Sequence, residues 1–251
     1  MYRRIAQQLR GEISSGALAP GTRLPTEQDL MERFTSSRNT VRLALAALAN
    51  EGLVLSEQGR GSFVRERRPV TYHAAYAEAP DRPASMVDSF HTEARREGRE
   101  SSQTFVMRIE PAGPEVAARL QVAEDDLVVL RRVVRYVDGQ VWSDQDSWYP
   151  MDVSQAAGLV TPHDIPQGTI RALADAGFTE CGWADEITAR MPTPDESRDL
   201  GIGSGVPLIV YLRTGHTPER PIRLTRSLFP ADRNRIVYEL GQLPYRPEGP
   251  T

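Results

Sequence analysis

Residues 24–65 read LPTEQDLMERFTSSRNTVRLALAALANEGLVLSEQGRGSFVR. Thr26 is a good helix N-cap, and Asp29 stands three residues on, an acidic variant of the capping box. The short helix that follows, to about Phe34, buries Leu30, Met31 and Phe34. The polar turn Thr35-Ser36-Ser37 caps a further helix to about Glu51, whose Val41, Leu45 and Leu48 recur at helical spacing, with Ala44 and Ala47 permitting close approach. Gly52 closes it. Two short strands, 53–57 and 62–65, flank Gln58-Gly59-Arg60-Gly61, a glycine-tipped hairpin. Upstream, residues 2–15 carry Ile5, Leu9 and Ile13 on one stripe and stop at Gly16. Three helices and a hairpin in this order make a winged helix-turn-helix. So small a core is expected to lean on a partner.

In such a unit the second helix of the pair enters the major groove, and its first turns meet base edges. Here those turns carry Ser37, Arg38, Asn39, Thr40 and Arg42. Arg38 and Arg42, four apart, stack on neighbouring turns. Either guanidinium matches the O6 and N7 acceptors of guanine, Asn39 suits adenine, and Ser37 and Thr40 suit a phosphate or a thymine methyl. The helix start at Thr26, Glu27 and Gln28 offers backbone N–H groups to phosphate. At the wing, Gly59 and Gly61 allow close backbone approach, and Arg60 is placed for the minor groove. An arginine pair alone would be an ordinary wet helix face; cap, helix, recognition turn and wing in sequence point to duplex DNA.

The whole chain of 251 residues has a net charge of -4, which at first opposes nucleic acid. The charge is divided, however. Residues 1–70 hold 11 Arg against 7 Asp plus Glu, a net of +4, and residues 71–251 a net of -8. A basic module is joined to an acidic body, as expected when one part alone meets phosphates. All 30 basic residues are Arg. The single cysteine, Cys181, excludes an internal disulfide framework, suits a reducing compartment and reads as a small buried residue. His73, His91, His163 and His216 have no ligand spacing, so neither a metal site nor a cofactor is expected. No stretch is apolar enough to cross a bilayer, and the first ten residues lack the apolar core of a signal peptide, so the expected location is the cytoplasm, with no membrane partner.

Beyond residue 66 the text changes. Residues 67–84, with Pro69, Pro80 and Pro83 and small residues between, read as a linker. A helix is expected over 85–97 and further helices over 114–120, 169–176 and 194–200. Strands are expected over 103–109, 127–137, 141–149, 182–189, 208–216 and 222–229. Asp138-Gly139 is a strong hairpin signal, and residues 217–220 make a second turn. Hairpins with helices to one side imply an α+β domain with a mainly antiparallel sheet. The expected division is 1–66 winged helix, 67–84 linker and 85–245 α+β domain.

The runs Leu24-Pro25-Thr26-Glu27, Ser37-Arg38-Asn39-Thr40-Val41-Arg42, Glu51-Gly52-Leu53 and Gly59-Arg60-Gly61-Ser62-Phe63-Val64 resemble the signature of GntR-family bacterial regulators. That resemblance implies a homodimer on a short palindromic operator, with DNA contacts falling on Gln28, Arg38, Thr40, Arg42 and the Arg60-Gly61 wing. Many members have Arg where this chain has Gln28. The C-terminal half is similar to the UTRA effector-binding domain of the HutC branch, which has a chorismate-lyase-like fold. The matching text includes Pro114–Leu120, Arg132–Gly139, Trp148-Tyr149-Pro150, Ala189–Thr193 and Pro207–Arg213.

The resemblance implies a small-molecule site on the sheet, with candidates Arg135, Gln145, Ser147, Arg190, Arg213 and Arg223. Strand alternation groups Arg131, Val133 and Arg135 on one face. Val133 stands where relatives often have a second Arg. Gln145 and Arg223 stand where sugar-sensing relatives have Glu, which favours an effector carrying an anionic group. Trp142, Trp148 and Tyr149 read as core. The expected mechanism is ligand-relieved repression by a homodimer. Two alternatives stay open: a constitutive DNA-binding dimer without effector, and an enzyme of the lyase-like fold, for which no nucleophile–base pair or phosphate-gripping loop is visible.

Overall fold

The computed structural model describes residues 1–57, 60–65, 69–74, 89–203 and 205–239. In chain order the first elements are α1 (Tyr2–Ser14), α2 (Glu27–Phe34), α3 (Arg38–Asn50), β1 (Val54–Glu57), β2 (Gly61–Val64), β3 (Val70–His73) and α4 (Ser89–Arg96). Then come β4 (Ser101–Pro111), α5 (Gly113–Leu120), β5 (Leu127–Val137), β6 (Gln140–Pro150), α6 (Met151–Ala156) and α7 (Thr169–Asp175). The last are β7 (Gly182–Arg190), α8 (Pro194–Asp199), β8 (Leu208–His216), β9 (Pro221–Pro230) and β10 (Asn234–Val237). The chain divides into two compact units.

The first unit comprises Met1–Pro69, Ala189–Leu208 and Pro230–Arg233. Its core is the apolar stripe read from sequence: Ile5, Leu9, Leu30, Val41, Ala44, Leu45 and Leu48, closed by Leu24, Val54 and Val64. Ile13, Met31, Phe34 and Ala47 pack against it half-buried. Thr26 makes both halves of the capping box with Asp29, Ser37 caps α3, and Thr35 turns the chain between the two helices at φ 47°. β1 and β2 pair antiparallel from Val54↔Val64 to Glu57↔Gly61.

The thin three-helix core does gain extra chain. The Gly205 N–H donates to the Asn50 carbonyl at 2.8 Å, capping an orphan carbonyl at the C-terminus of α3. A Cβ on Gly205 would lie 2.4 Å from that oxygen, and one on Gly203 would meet the Ala49 carbonyl at 2.7 Å. Only glycine permits this approach. Arg65, at the end of the wing, is buried in an ion pair with Asp232.

The second unit comprises Val70–Thr188, Ile209–Phe229 and Asn234–Thr251. Its frame is a six-stranded sheet in the order β4-β5-β6-β9-β8-β7, with β4–β5, β5–β6 and β6–β9 paired antiparallel. Asp138 and Gly139 both take positive φ, 50° and 74°, as a two-residue hairpin turn requires. Trp148 faces α5 with Val128, Leu130 and Leu224. Its neighbour Tyr149 faces the opposite way, with α6 and α7 residues Val153, Ala172 and Leu173. Both sheet faces therefore carry helices, where sequence reasoning placed them on one. Trp142 is core as well, packed with Phe90, Tyr211 and Phe229.

Three elements escaped sequence reasoning. Val70–His73, inside the stretch read as linker, pairs parallel with Asn234–Val237. The third is α6, six residues after Pro150 and too short to show a period. Most of the remaining linker reading, the start of the 85–97 helix and residues 240–245 lie outside the described residues, as does Gly59. Cys181 is exposed rather than buried: it sits in the connection before β7 and directs its thiol at the His216 carbonyl.

Candidate functional site

Two surfaces carry the candidate residues. The first is the start of α3. Ser37 accepts from the Thr40 backbone N–H, and the two hydroxyls lie 2.9 Å apart. Arg38 and Arg42 then extend from successive turns with side chains 66% and 70% exposed. Asn39 is exposed and Thr40 half-buried beside them. Glu27, in the first turn of α2, lies 3.5 Å from Arg38 Nε and 3.8 Å from Arg42 Nε. Gln28 is turned along its own helix and donates to Glu32 at 2.7 Å. The Thr26 hydroxyl and backbone N–H hold the Asp29 carboxyl below the usual carboxylate range. That keeps a negative charge at the N-terminus of α2, where the helix dipole favours it.

At the wing, Arg60 is exposed and its guanidinium lies 5.8 Å from the Phe63 ring centroid. Gly61 has φ +107°, and a Cβ there would meet Arg23 Nε at 2.9 Å. The wing is further held by a two-way exchange: Leu24 N–H donates to Ser62 O and Val64 N–H to Thr22 O, both at 2.8 Å. Thr26, Ser37, Arg38, Asn39, Thr40, Arg42, Arg60 and Gly61 thus all belong to one compact unit, the first six on caps and the early turns of α3 and the last two on the wing.

The second surface is one face of the sheet. Register places Arg131 opposite Ser147, Val133 opposite Gln145 and Arg135 opposite Ser143. The next strand adds Thr225 opposite Ser147 and Ser227 opposite Gln145. Side chains connect across it: Arg135 Nη1 donates to Gln145 Oε1 at 2.9 Å, Gln145 Nε2 to Ser147 Oγ at 3.2 Å, and Ser147 meets Thr225 at 3.0 Å. Arg223 continues the row, donating to Thr225 at 3.1 Å. Four of the six expected residues, Arg135, Gln145, Ser147 and Arg223, therefore form one polar row.

The arginines of this face are already engaged. Arg223 makes a two-pronged pair with Glu180 at 2.7 and 2.9 Å, with side chains 2% and 1% exposed. Gly215 makes room for that carboxylate; a Cβ there would lie 2.3 Å from Glu180 Oε1. Arg131 is buried and donates to the carbonyls of Leu159, Thr161 and His163 at 2.9–3.0 Å. Burial pushes its pKa down, against the charge of Asp164 and the neighbouring Tyr149. Arg213, fully buried, grips Asp185 at 2.6 and 2.8 Å and donates to the Ala74 carbonyl at 3.0 Å. Burial pushes the Asp185 carboxyl up, yet the bonds from Arg213 and Tyr238 prevail and its pKa falls. Arg213 is thus a brace between the sheet and the chain leaving β3. Arg190 belongs to the other compact unit and is paired with Glu196 at 2.6 and 2.7 Å.

Glu180, Asp185 and Thr225 were not singled out from sequence, and Glu27 was named only for its backbone N–H, not for its carboxylate. Thr225 carried a signal, alternating with Arg223 along one strand face. Glu180 carried none, since its partner is 43 residues away. A shallow groove lined by Val106, Arg108, Leu130 and Arg132 lies on the opposite sheet face and shares no residue with the polar row. Among the described residues no cluster of His, Cys, Asp or Glu could hold a metal, and no helix is long and apolar enough to cross a membrane.

Comparison with known proteins bears on both surfaces. Residues 1–64 match the model of bacterial regulatory proteins of the gntR family, and residues 96–235 match the UTRA domain. The mannosyl-D-glycerate transport/metabolism system repressor MngR of Escherichia coli (strain K12) is 27% identical over 237 residues, 92% of each chain. The histidine utilization repressor of Pseudomonas aeruginosa is 28% identical, over 94% of this chain and 89% of its own. The crystal structure of PhnF from Mycobacterium smegmatis aligns with 94% of this chain and 99% of its own, at a TM-score of 0.58 and 20% identity, a likeness of fold.

Proposed function

The chain belongs to the GntR-type bacterial regulators that carry a UTRA domain, and from that premise we propose that it represses transcription as a homodimer on a palindromic operator and is released by a small effector. It is a DNA-binding regulator, not an enzyme. The observation that carries the DNA-reading assignment is the pair Arg38 and Arg42, extended into solvent from the first turns of a capped helix. Two such helices in a dimer would meet half-sites about one helical turn apart. Arg60 and the wing would take the adjacent minor groove, and Ser37 and Thr40 the backbone.

The effector is assigned to the polar row Arg135, Gln145, Ser147 and Thr225. Glu180 and Asp185 compensate Arg223 and Arg213, so those two arginines shape the floor rather than supply charge. Arg131 is a buried cation whose hydrogen bonds all go to neutral carbonyls, and with Arg135 it favours an anionic group on the ligand.

Selection of duplexes from a randomised DNA library, followed by sedimentation of the complex, tests the first half. The expected result is an inverted repeat bound by two chains; enrichment of no sequence would refute it. Calorimetric titration with carboxylated, phosphorylated and neutral metabolites tests the second, and tightest binding of a neutral or cationic compound would remove the anionic assignment.

A further inference from the structure

We propose that Glu27 is a specificity-determining residue of the DNA-reading surface, a shared carboxylate that positions Arg38 and Arg42 for bases and withholds them from phosphates. The proposal rests on the DNA-reading assignment above. Glu27 occupies the first turn of α2 and the two arginines the first and second turns of α3, so one carboxylate spans both readers across the turn of the helix-turn-helix. Its two oxygens are divided between them, Oε2 toward Arg38 and Oε1 toward Arg42, and each approach is to Nε. Among the described residues it is the only acid within 4 Å of either guanidinium.

That geometry has two consequences. An arginine steadied through Nε keeps its terminal Nη1 and Nη2 groups outward, and these can take O6 and N7 of guanine as a pair. Holding both side chains on one side also removes part of the ordering cost of binding. The charge acts separately. Three charged groups with a net of +1 instead of +2 gain less from a phosphate lattice, and the carboxylate is itself repelled by phosphates. Sequence-independent binding, which is driven by counterion release, is thereby weakened more than base reading. At 3.5 and 3.8 Å in exposed positions the pairs add little to folding stability. Their effect is expected in discrimination.

The test compares the full-length protein with Glu27→Gln and Glu27→Asp, using the duplex that wild type enriches from the randomised library and a scrambled duplex of equal length. For Glu27→Gln the scrambled duplex is bound more tightly, its log–log salt slope steepens by roughly one unit, and the ratio of selected to scrambled affinity falls by about tenfold. Glu27→Asp keeps the charge but is one methylene too short to span both arginines. Its salt slope stays at the wild-type value while the ratio still falls. Thermal unfolding of both variants should match wild type. An unchanged affinity ratio in both variants would overturn the proposal, as would Glu27→Gln tightening both duplexes equally with Glu27→Asp behaving as wild type. If wild type enriches no sequence at all, the DNA-reading assignment fails, and this proposal fails with it.

Discussion

Arginine does opposite work at the two surfaces of this molecule. On α3, Arg38 and Arg42 stand in water with one loosely held acid between them. On the sheet, Arg213 and Arg223 are buried and each is locked two-pronged to its own carboxylate. In a chain without lysine, the residue type says nothing about which role applies. Burial decides. A guanidinium taken out of water needs a partner from the same chain, whereas one left in water stays available to a partner from outside. On the proposed reading, the exposed pair of the basic module is left for phosphates and bases, while on the sheet face Arg213 and Arg223 are already neutralised and only Arg131 and Arg135 are left to meet a charge on the ligand.

The sharpest way to break that contrast is to remove one buried carboxylate. Glu180→Ala takes the two-pronged carboxylate away from the buried Arg223 guanidinium, and should cost about 3–5 kcal/mol of stability in denaturant unfolding. Replacing both partners by apolar residues of similar volume should recover most of that loss, because the penalty lies in burying a guanidinium without its carboxylate and not in the missing attraction. A single substitution costing less than about 1 kcal/mol, the size of an exposed pair, would mean that Arg223 finds water or another acceptor and that the two surfaces are less different than the burial implies.

The exposed arginines should give the reverse pattern. Arg38→Ala and Arg42→Ala are each expected to weaken binding of the selected duplex by roughly 1–3 kcal/mol and to relax preference at one base position. Unfolding should stay within about 0.5 kcal/mol of wild type. Filter binding or fluorescence anisotropy against single-base variants of the site reads this directly. A uniform loss across all base variants would reassign the residue from base reading to phosphate contact.

The two surfaces also differ in how far sequence discloses them. The winged helix is written in local signals: Thr26 and Asp29 three apart, Val41, Leu45 and Leu48 at one helical spacing, glycine at the wing. Each acts within a few residues, and each stands where it was expected. The sheet strands were legible from apolar alternation and from Asp138-Gly139, whose two consecutive positive φ values are those of a two-residue hairpin turn. What stayed hidden is non-local. Arg213 and Arg190 look alike in sequence, yet one is a buried brace to Ala74 and the other pairs six residues on with Glu196. Glu180 meets Arg223 only once β9 is placed in the sheet. The strand 70–73 was obscured because its partner, 234–237, lies at the far end of the described chain.

Local signals can be tested one at a time. Thr26→Ala removes the hydroxyl that accepts from the Asp29 backbone N–H and so opens the capping box at the start of α2. The expected cost is about 1 kcal/mol in thermal or denaturant unfolding. Because Thr26 is also a candidate phosphate neighbour, its effect on DNA should be uniform across sequences. A sequence-selective loss would move it among the base readers.

The smallest expected effect lies at a pair intermediate between the two extremes, Arg190 and Glu196. The Arg190 guanidinium, and after it the Thr193 backbone N–H, hold the Glu196 carboxyl down at about 2 instead of 4.5, although burial works the other way. A carboxyl whose pKa is lower in the folded chain stabilises the fold in its ionised form. That contribution is complete above about 4.5 and is lost as pH falls from there toward about 2. Arg190 is 43% exposed, so solvent screens the pair and the loss should amount to a few tenths of a kcal/mol. Carbon-detected titration of the Glu196 carboxyl reads the midpoint itself. In Arg190→Ala the midpoint should climb back toward 4.5 yet remain below it, since Thr193 N–H still donates at 2.8 Å. A midpoint near 4.5 already in wild type would show that water, not Arg190, solvates this carboxylate. Arg190 would then rank with Arg38 and Arg42 as a cation open to outside partners, which would reopen its place in effector binding.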